Sequence, residues 1–277
     1  MRVENGFRPA KSRGQNFLID PNIPEKIVRL AGFGGSDGVL EVGPGMGALT
    51  AALCRAAGHV TAVEVDGRLI PALRERFIGS ANVDIMHGDI LKLDIAGLLA
   101  EKMPGQGLHV CSNLPYNITT PALTKFIGAG VFKTITVMIQ KEVARRVCAF
   151  PGTPEYGAFT IYANYHTEPE ILFIVPPECF RPRPSVYSAV VRMKTREKQS
   201  LAQNEEVTFF KVVRAAFGQR RKTLVNALCA VFGNTLRKDE LADAVHACGF
   251  DGRVRGEVLG VEDFAKLSQI ISKLEKL

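Results

Sequence analysis

Short apolar runs alternate with segments of helical period through the first two thirds of the chain. The runs cover 39–42, 60–64, 83–87, 108–113 and 134–139, and stretches of helical pattern separate them. This alternation predicts a parallel, doubly wound α/β sheet. Ahead of the first run, Asp20 or Asn22 caps a helix with Pro24 in its first turn and Ile27, Val28 and Leu30 on its inner face. After a flexible loop at Pro151, Gly152 and Thr153, the pattern predicts a helix over 158–165. Two further β runs, 171–175 and 186–193, finish the sheet as an antiparallel pair. The sheet is then expected to have seven strands, mostly parallel. Polar residues over 197–206 read as a linker. Beyond it the pattern is helical throughout, with Val207, Phe210, Val213, Ala216 and Phe217 on one face. Further helices over 224–231, 241–247 and 264–274 break at Gly233 and Gly249. Two domains are expected, 1–198 and 199–277, the second small and all-helical.

The 277 residues, 46% hydrophobic and 23% charged, are those of a globular protein rather than a disordered one. The net charge of +7 is unevenly placed. Arg2, Arg8, Lys11 and Arg13 load the N-terminal arm, which closes on Asn16, Phe17 and Leu18 as if tucked into a pocket. Arg181, Arg183, Arg192, Lys194, Arg196 and Lys198 form a second cluster; Arg214, Arg220, Arg221 and Lys222 form a third. Each cluster alone reads as a solvated face, whereas the three together suit a polyanion such as RNA. The six cysteines are scattered, with no Cys-x-x-Cys pair. Reduced thiols are therefore expected, with neither a metal site nor a disulfide framework. No apolar run suits a signal peptide, and no span of 18 or more apolar residues occurs. A soluble cytoplasmic protein is expected.

The chemistry gathers at strand ends, where open α/β sheets bind their ligands. Gly43-Pro44-Gly45-Met46-Gly47 follows the first strand and opens a helix, so backbone can approach a ligand closely. Glu64 ends the second strand, where an acid binds the two hydroxyls of a ribose. Asp89 follows the third, placed to accept from an adenine amino group. The fourth ends in Asn113-Leu114-Pro115-Tyr116. An exocyclic aromatic amine is a poor nucleophile because its lone pair is delocalised into the ring. The Asn113 side-chain oxygen and a backbone carbonyl, that of Leu114, can accept both N–H groups and free that lone pair. Pro115 stiffens the turn, and Tyr116 offers a flat face to an unstacked base. No general base of unusual pKa is required, since the product sheds its proton easily. Two plainer readings stand beside this one. Asn-Leu-Pro-Tyr also suits an ordinary turn, and Gly43, Gly45, Ala48 and Glu64 also satisfy a dinucleotide fingerprint, which keeps a dehydrogenase in contention. Pro44, Gly47 and the tetrad count against that alternative. Between 176 and 186, four prolines stiffen a loop bearing Phe180, Arg181 and Arg183; Phe180 is either displayed there or folded onto the core.

Taken in order, these segments resemble the ribosomal RNA adenine N6,N6-dimethyltransferases, the bacterial small-subunit family in particular. The resemblance runs through nearly the whole chain: 14–18 (GQNFL), 41–47 (EVGPGMG), 63–66 (VEVD), 88–91 (GDIL), 113–117 (NLPYN), 140–144 (QKEVA), 180–186 (FRPRPSV) and 217–224 (FGQRRKTL). It implies a Rossmann-like class I methyltransferase sheet, S-adenosylmethionine as donor, and dimethylation of two adjacent adenosines near the 3′ end of 16S rRNA during small-subunit maturation. It further implies that Asn16, Leu18, Gly43, Gly45, Glu64, Asp89 and Asn113 hold the cofactor, and that Tyr116 and Phe180 sandwich the target base. Arg8, Lys11, Arg13, Arg181, Arg183, Arg214, Arg220, Arg221 and Lys222 are then candidates for RNA contact. The expected partner is the small ribosomal subunit, with no metal and no membrane, the protein acting as a monomer. Large-subunit enzymes share the arm and the tetrad, while 217–224 and Asn117 lean toward the small-subunit branch. Mitochondrial relatives that act as transcription factors would carry a presequence, which 1–20 does not resemble. A purely structural assembly factor is the remaining alternative.

Overall fold

The structure is a computed structural model that describes residues 15–197 and 201–275. It divides into two compact units, 1–144 with 168–195, and 145–167 with 196–277.

The first unit opens with β1 (Phe17–Leu18) and α1 (Asn22–Ala31). The Asp20 carboxylate accepts from the Asn22 amide at 2.9 Å, but Pro21 holds the N-cap position, so neither Asp20 nor Asn22 is the expected capping side chain. Then β2 (Gly38–Val42), α2 (Ala48–Ala56), β3 (His59–Glu64), α3 (Ile70–Arg76), β4 (Val83–His87), α4 (Ile95–Lys102) and β5 (Leu108–Asn113) alternate. A 3-10 turn over Tyr116–Ile118, α5 (Thr119–Ala129), β6 (Thr134–Gln140) and the start of α6 (Lys141–Val147) follow. The sheet has seven strands. β3 and β5 flank β2 in parallel, and β4 and β6 extend the two sides in parallel. Every residue of β2 is buried, as helices on both faces of a parallel sheet require. Chain order reverses between β2 and β5, and that switch point leaves a crevice beyond the carboxyl ends of the strands.

The last two strands are β7 (Thr167–Val175) and β9 (Ser188–Thr195), with β9 antiparallel to β6 and β7 at the edge. β7 is longer than the apolar run 171–175 that predicted it, whereas β9 matches the length of its run, 186–193, and is shifted two residues toward Thr195, because pairing with a neighbour recruits polar residues. A pairing with no signal in the pattern joins β1 antiparallel to β8 (Phe180–Arg181). It anchors the end of the N-terminal arm.

The second unit contains α7 (Ala158–His166), α8 (Gln203–Gly218), α9 (Leu224–Phe232), α10 (Lys238–Ala247) and α11 (Val261–Leu274). The sequence-based boundary at 198 assigned 145–167 to the sheet domain. The compact unit instead includes it, because Tyr156, Ile161 and Tyr165 are buried in one core with Phe209, Leu228, Phe232 and Phe264. The inward face of α8 holds Val213 and Ala216 as expected, with Phe210 and Phe217 half-buried against the core, but it is wider than the spacing predicted and leaves out Val207. Phe209, Val212, Val213 and Ala216 are buried, whereas Val207 is 68% exposed. Helical spacing alone leaves the width of such a face open when Phe209 and Phe210 are adjacent. The segment read as a flexible loop at 151–153 is held by its backbone. The Gly152 amide donates to Glu257 O at 2.8 Å, and the Thr153 amide donates to Phe150 O at 3.2 Å.

Candidate active site

Beyond the carboxyl ends of the strands lies a cavity of about 320 Å³. Its walls come from 15–18, 41–46, 63–65, 88–91 and 113–118, together with Ala48 and Leu49. Asn16, Leu18, Gly43, Gly45, Glu64, Asp89, Asn113, Leu114, Pro115 and Tyr116, widely spaced along the chain, all line it. The volume falls within the range of small-molecule sites.

The turn after β2 is shaped by left-handed glycines. Gly43, Gly45 and Gly47 have φ of 68°, 59° and 79°, a region that residues with a Cβ seldom occupy. A Cβ on Gly47 would lie 2.8 Å from the Phe77 ring, and one on Gly45 would lie 3.0 Å from Phe17. The turn is thus both left-handed and packed against the arm.

Glu64 is buried at the end of β3. One of its carboxylate oxygens accepts the Asp66 amide at 2.8 Å and the other the Gly45 amide at 3.2 Å. Burial pushes its pKa up, while the Asp66 and Gly45 amides oppose the rise. A carboxylate has about four acceptor positions, so capacity for a ligand's hydroxyls remains. At the next strand end, Asp89 accepts the Leu91 amide at 3.0 Å. Asn113 ends β5, and the Leu114 amide donates to Met138 O at 3.1 Å, which fixes the start of the tetrad. The Pro115 carbonyl accepts from the Ile118 amide at 3.1 Å and from the Thr119 hydroxyl at 3.3 Å. Tyr116 shares a 2.7 Å hydrogen bond with the buried Ser188 hydroxyl, so its phenol is tied down. Burial raises the Tyr116 pKa.

Three features of the site were not read from the sequence. Asp66 is buried, although it stands in the 63–66 segment. Its carboxylate accepts from Gln15 Nε2 at 3.0 Å and from the Arg68 guanidinium at 2.9 and 2.6 Å. Asp66 therefore links the arm to the segment after β3. Ser188 carried no signal, because its role depends on β9 lying beside β6. Glu41, on β2, is fully buried with one side-chain oxygen lacking a hydrogen bond. Burial, above all, raises its pKa to about 8.

Phe180 is not brought to the cavity. It is 3% exposed and packs in a core with Ile27, Val28 and Val190, paired through the backbone with Leu18. The expected sandwich over Tyr116 is thereby corrected. Strand pairing turns this apolar ring inward, where it is most stable. Of the candidate RNA contacts, Arg8, Lys11 and Arg13 lie outside the described residues. Arg181 and Arg183 are exposed in the first unit, Arg183 paired with Glu178. Arg214, Arg220, Arg221 and Lys222 are exposed in the second. Arg220 pairs with Glu257 at 3.1 Å.

The chain is similar to known RNA methyltransferases over nearly its full length. It is 46% identical to the ribosomal RNA small subunit methyltransferase A of Shouchella clausii, over 97% of this chain and 91% of that one. It is 45% identical to the protein of the same name from Geobacillus thermodenitrificans, over 97% and 93%. Among solved structures, a dimethyladenosine transferase from Plasmodium falciparum superposes with a TM-score of 0.82 at 27% identity, covering 93% of this chain and 98% of that one. The 23S rRNA methyltransferase ErmE superposes with a TM-score of 0.74 at 25% identity, covering 93% and 100%. The dinucleotide alternative raised by the glycine pattern falls with these similarities. A model of the ribosomal RNA adenine dimethylase family matches residues 6–272, spanning both the cavity with its Asn-Leu-Pro-Tyr wall and the helical unit, and the chain belongs to that family.

Proposed function

We propose that the protein transfers methyl groups from S-adenosylmethionine to N6 of two adjacent adenosines in a 3′-terminal loop of 16S rRNA. The acceptor is the maturing small subunit in the cytoplasm, and the product is N6,N6-dimethyladenosine. One observation carries this reading: the Asn113–Tyr116 tetrad shares a single cavity with the glycine turn, Glu64 and Asp89.

The residues fit the cofactor. A buried carboxylate with spare acceptor positions suits a ribose, the left-handed glycines leave room for an amino-acid tail, and Asp89 suits an adenine amine. When bound, S-adenosylmethionine supplies an electrophilic methyl group on a sulfonium sulfur. Asn16, Leu18, Gly43, Gly45, Glu64 and Asp89 would hold it. The Asn113 side-chain oxygen and the Leu114 carbonyl accept the two N6–H groups of the target adenine, which localises the nitrogen lone pair for attack. Tyr116 presents its ring to the extruded base, its hydroxyl held by Ser188. The proton leaves N6 for water once the N–C bond has formed, without a dedicated base.

The likeness to a 23S rRNA methyltransferase supports a second reading, with the large subunit as acceptor. Labelled methyl transfer to undermethylated small subunits, large subunits and naked rRNA, measured side by side, distinguishes them. Incorporation as N6,N6-dimethyladenosine into small subunits alone is expected. Label on large subunits would overturn the choice of acceptor.

A further inference from the structure

In the helical unit, the loop 148–157 is pinned at several points. The Gly152 amide donates to Glu257 O at 2.8 Å. The buried Tyr156 hydroxyl donates to Leu259 O at 2.8 Å. The Phe150 carbonyl accepts from the Thr153 hydroxyl at 2.7 Å, and the Arg220 guanidinium reaches Pro154 O at 3.4 Å. On this loop Phe150 is 75% exposed, and Val258, next to Glu257, is 50% exposed. A single exposed apolar residue is ordinary in itself. Here the ring stands on a held backbone, and its supporting segments are cationic. Arg220, Arg221 and Lys222 are exposed on one, and Arg253 and Arg255 on the other. Of the nearby acids, Glu257 is paired with Arg220, Asp251 accepts the Arg253 amide at 2.7 Å, and Glu155 is exposed on the loop itself, five positions from Phe150 and outnumbered by the cations.

An aromatic face among arginines and lysines matches a nucleotide, whose base has a π-face and whose phosphate carries negative charge. A pinned loop also loses little conformational freedom on binding. We propose that Phe150 is a stacking platform for an unpaired rRNA base other than the methylated adenosines, with Arg221, Lys222, Arg253 and Arg255 serving the adjoining phosphates. The proposal rests on the reading of the chain as an rRNA methyltransferase. The platform belongs to the helical unit, and none of its residues lines the methyl-transfer cavity.

The chain contains no tryptophan, so Phe150→Trp places a single indole on the loop. Its emission is followed while undermethylated small subunits, or a single-stranded oligoribonucleotide from their rRNA, are added at several salt concentrations. Quenching by both is expected, with affinity close to wild type. Phe150→Ala is expected to weaken binding about fivefold to about a hundredfold, the span of a base–aromatic stack. Its salt slope should be unchanged, because a ring displaces no counterions. Wild-type binding by Phe150→Ala, or an unquenched indole in a formed complex, would overturn the proposal. Loss seen only with whole subunits, without quenching by RNA, would place a protein against Phe150 and also overturn it. Methyl incorporation by the wild-type chain, run in parallel, tests the underlying reading separately.

Discussion

Asn113 and Tyr116 stand three positions apart in one turn, yet the proposed function gives them separable tasks. Asn113 is proposed to hold an amine whose geometry changes during reaction, so its contribution grows toward the transition state. Asn113→Ala is expected to depress single-turnover methyl transfer far more than subunit binding. Tyr116 is proposed to contribute a ring face before the methyl moves, and its hydroxyl is engaged with Ser188. Tyr116→Phe should keep most of the single-turnover rate while losing some stability, and Tyr116→Ala should lose the rate. A Tyr116→Phe enzyme as inactive as Tyr116→Ala would refute the stacking account. Charge-assisted hydrogen bonds to a carboxylate contribute roughly 1.5–3 kcal/mol each. Glu64→Ala should therefore weaken S-adenosylmethionine binding about tenfold or more by calorimetry. Glu41 bears on stability instead. Its carboxyl titrates at about 8 when folded, against an ordinary value of 4.5. Between those values the folded state binds the extra proton, so stability falls as pH rises through the window. Glu41→Gln should flatten that fall, and urea midpoints at pH 5 and pH 8 measure it.

At the scale of the element, the turn between β2 and α2 depends on glycine for geometry rather than for flexibility. Gly47 precedes α2 with φ of 79°, and an added Cβ would meet the Phe77 ring at 2.8 Å. The left-handed conformation costs roughly 1–2 kcal/mol for a residue with a Cβ, before the clash is counted. Gly47→Ala should lower the thermal midpoint by roughly 4 °C or more. An unchanged midpoint would mean that the turn relaxes freely. The inward face of α8 shows a limit of periodicity. Of the neighbouring phenylalanines, packing against α9 and α11 buries Phe209 fully, while Phe210 packs half-buried beside it.

For the whole molecule, charge is the property proposed to link the helical unit to RNA. Arg220 is engaged with Glu257 and Pro154, whereas Arg221 and Lys222 form no ion pair among the described residues. The Arg221→Ala, Lys222→Ala double variant should weaken subunit binding and flatten its salt dependence by a slope of about 0.7–0.9 per lost phosphate contact. Cofactor affinity should be unchanged. An unaltered slope would make these residues an ordinary solvated face.

The alternation of apolar runs, the glycine turn, the acids at the strand ends and the tetrad are local patterns. Their strand–turn–helix context was therefore legible in the sequence, and so was the gathering of Gly43, Glu64, Asp89 and Asn113 at one end of a parallel sheet. Contacts between distant segments were not. The β1–β8 pairing buries Phe180 through residues more than 160 positions apart, and no periodicity encodes which edge the arm will meet. The Tyr116–Ser188 bond requires β9 beside β6, and the Asp66–Gln15 bond requires the arm to lie across the end of β3. The assignment of 145–167 to the helical unit was decided by Tyr156, Ile161 and Tyr165 finding their core there. Sequence determines which side chains must leave water and where the backbone can turn. Which buried surface each then meets depends on all the other segments at once, and only the tertiary structure decides it.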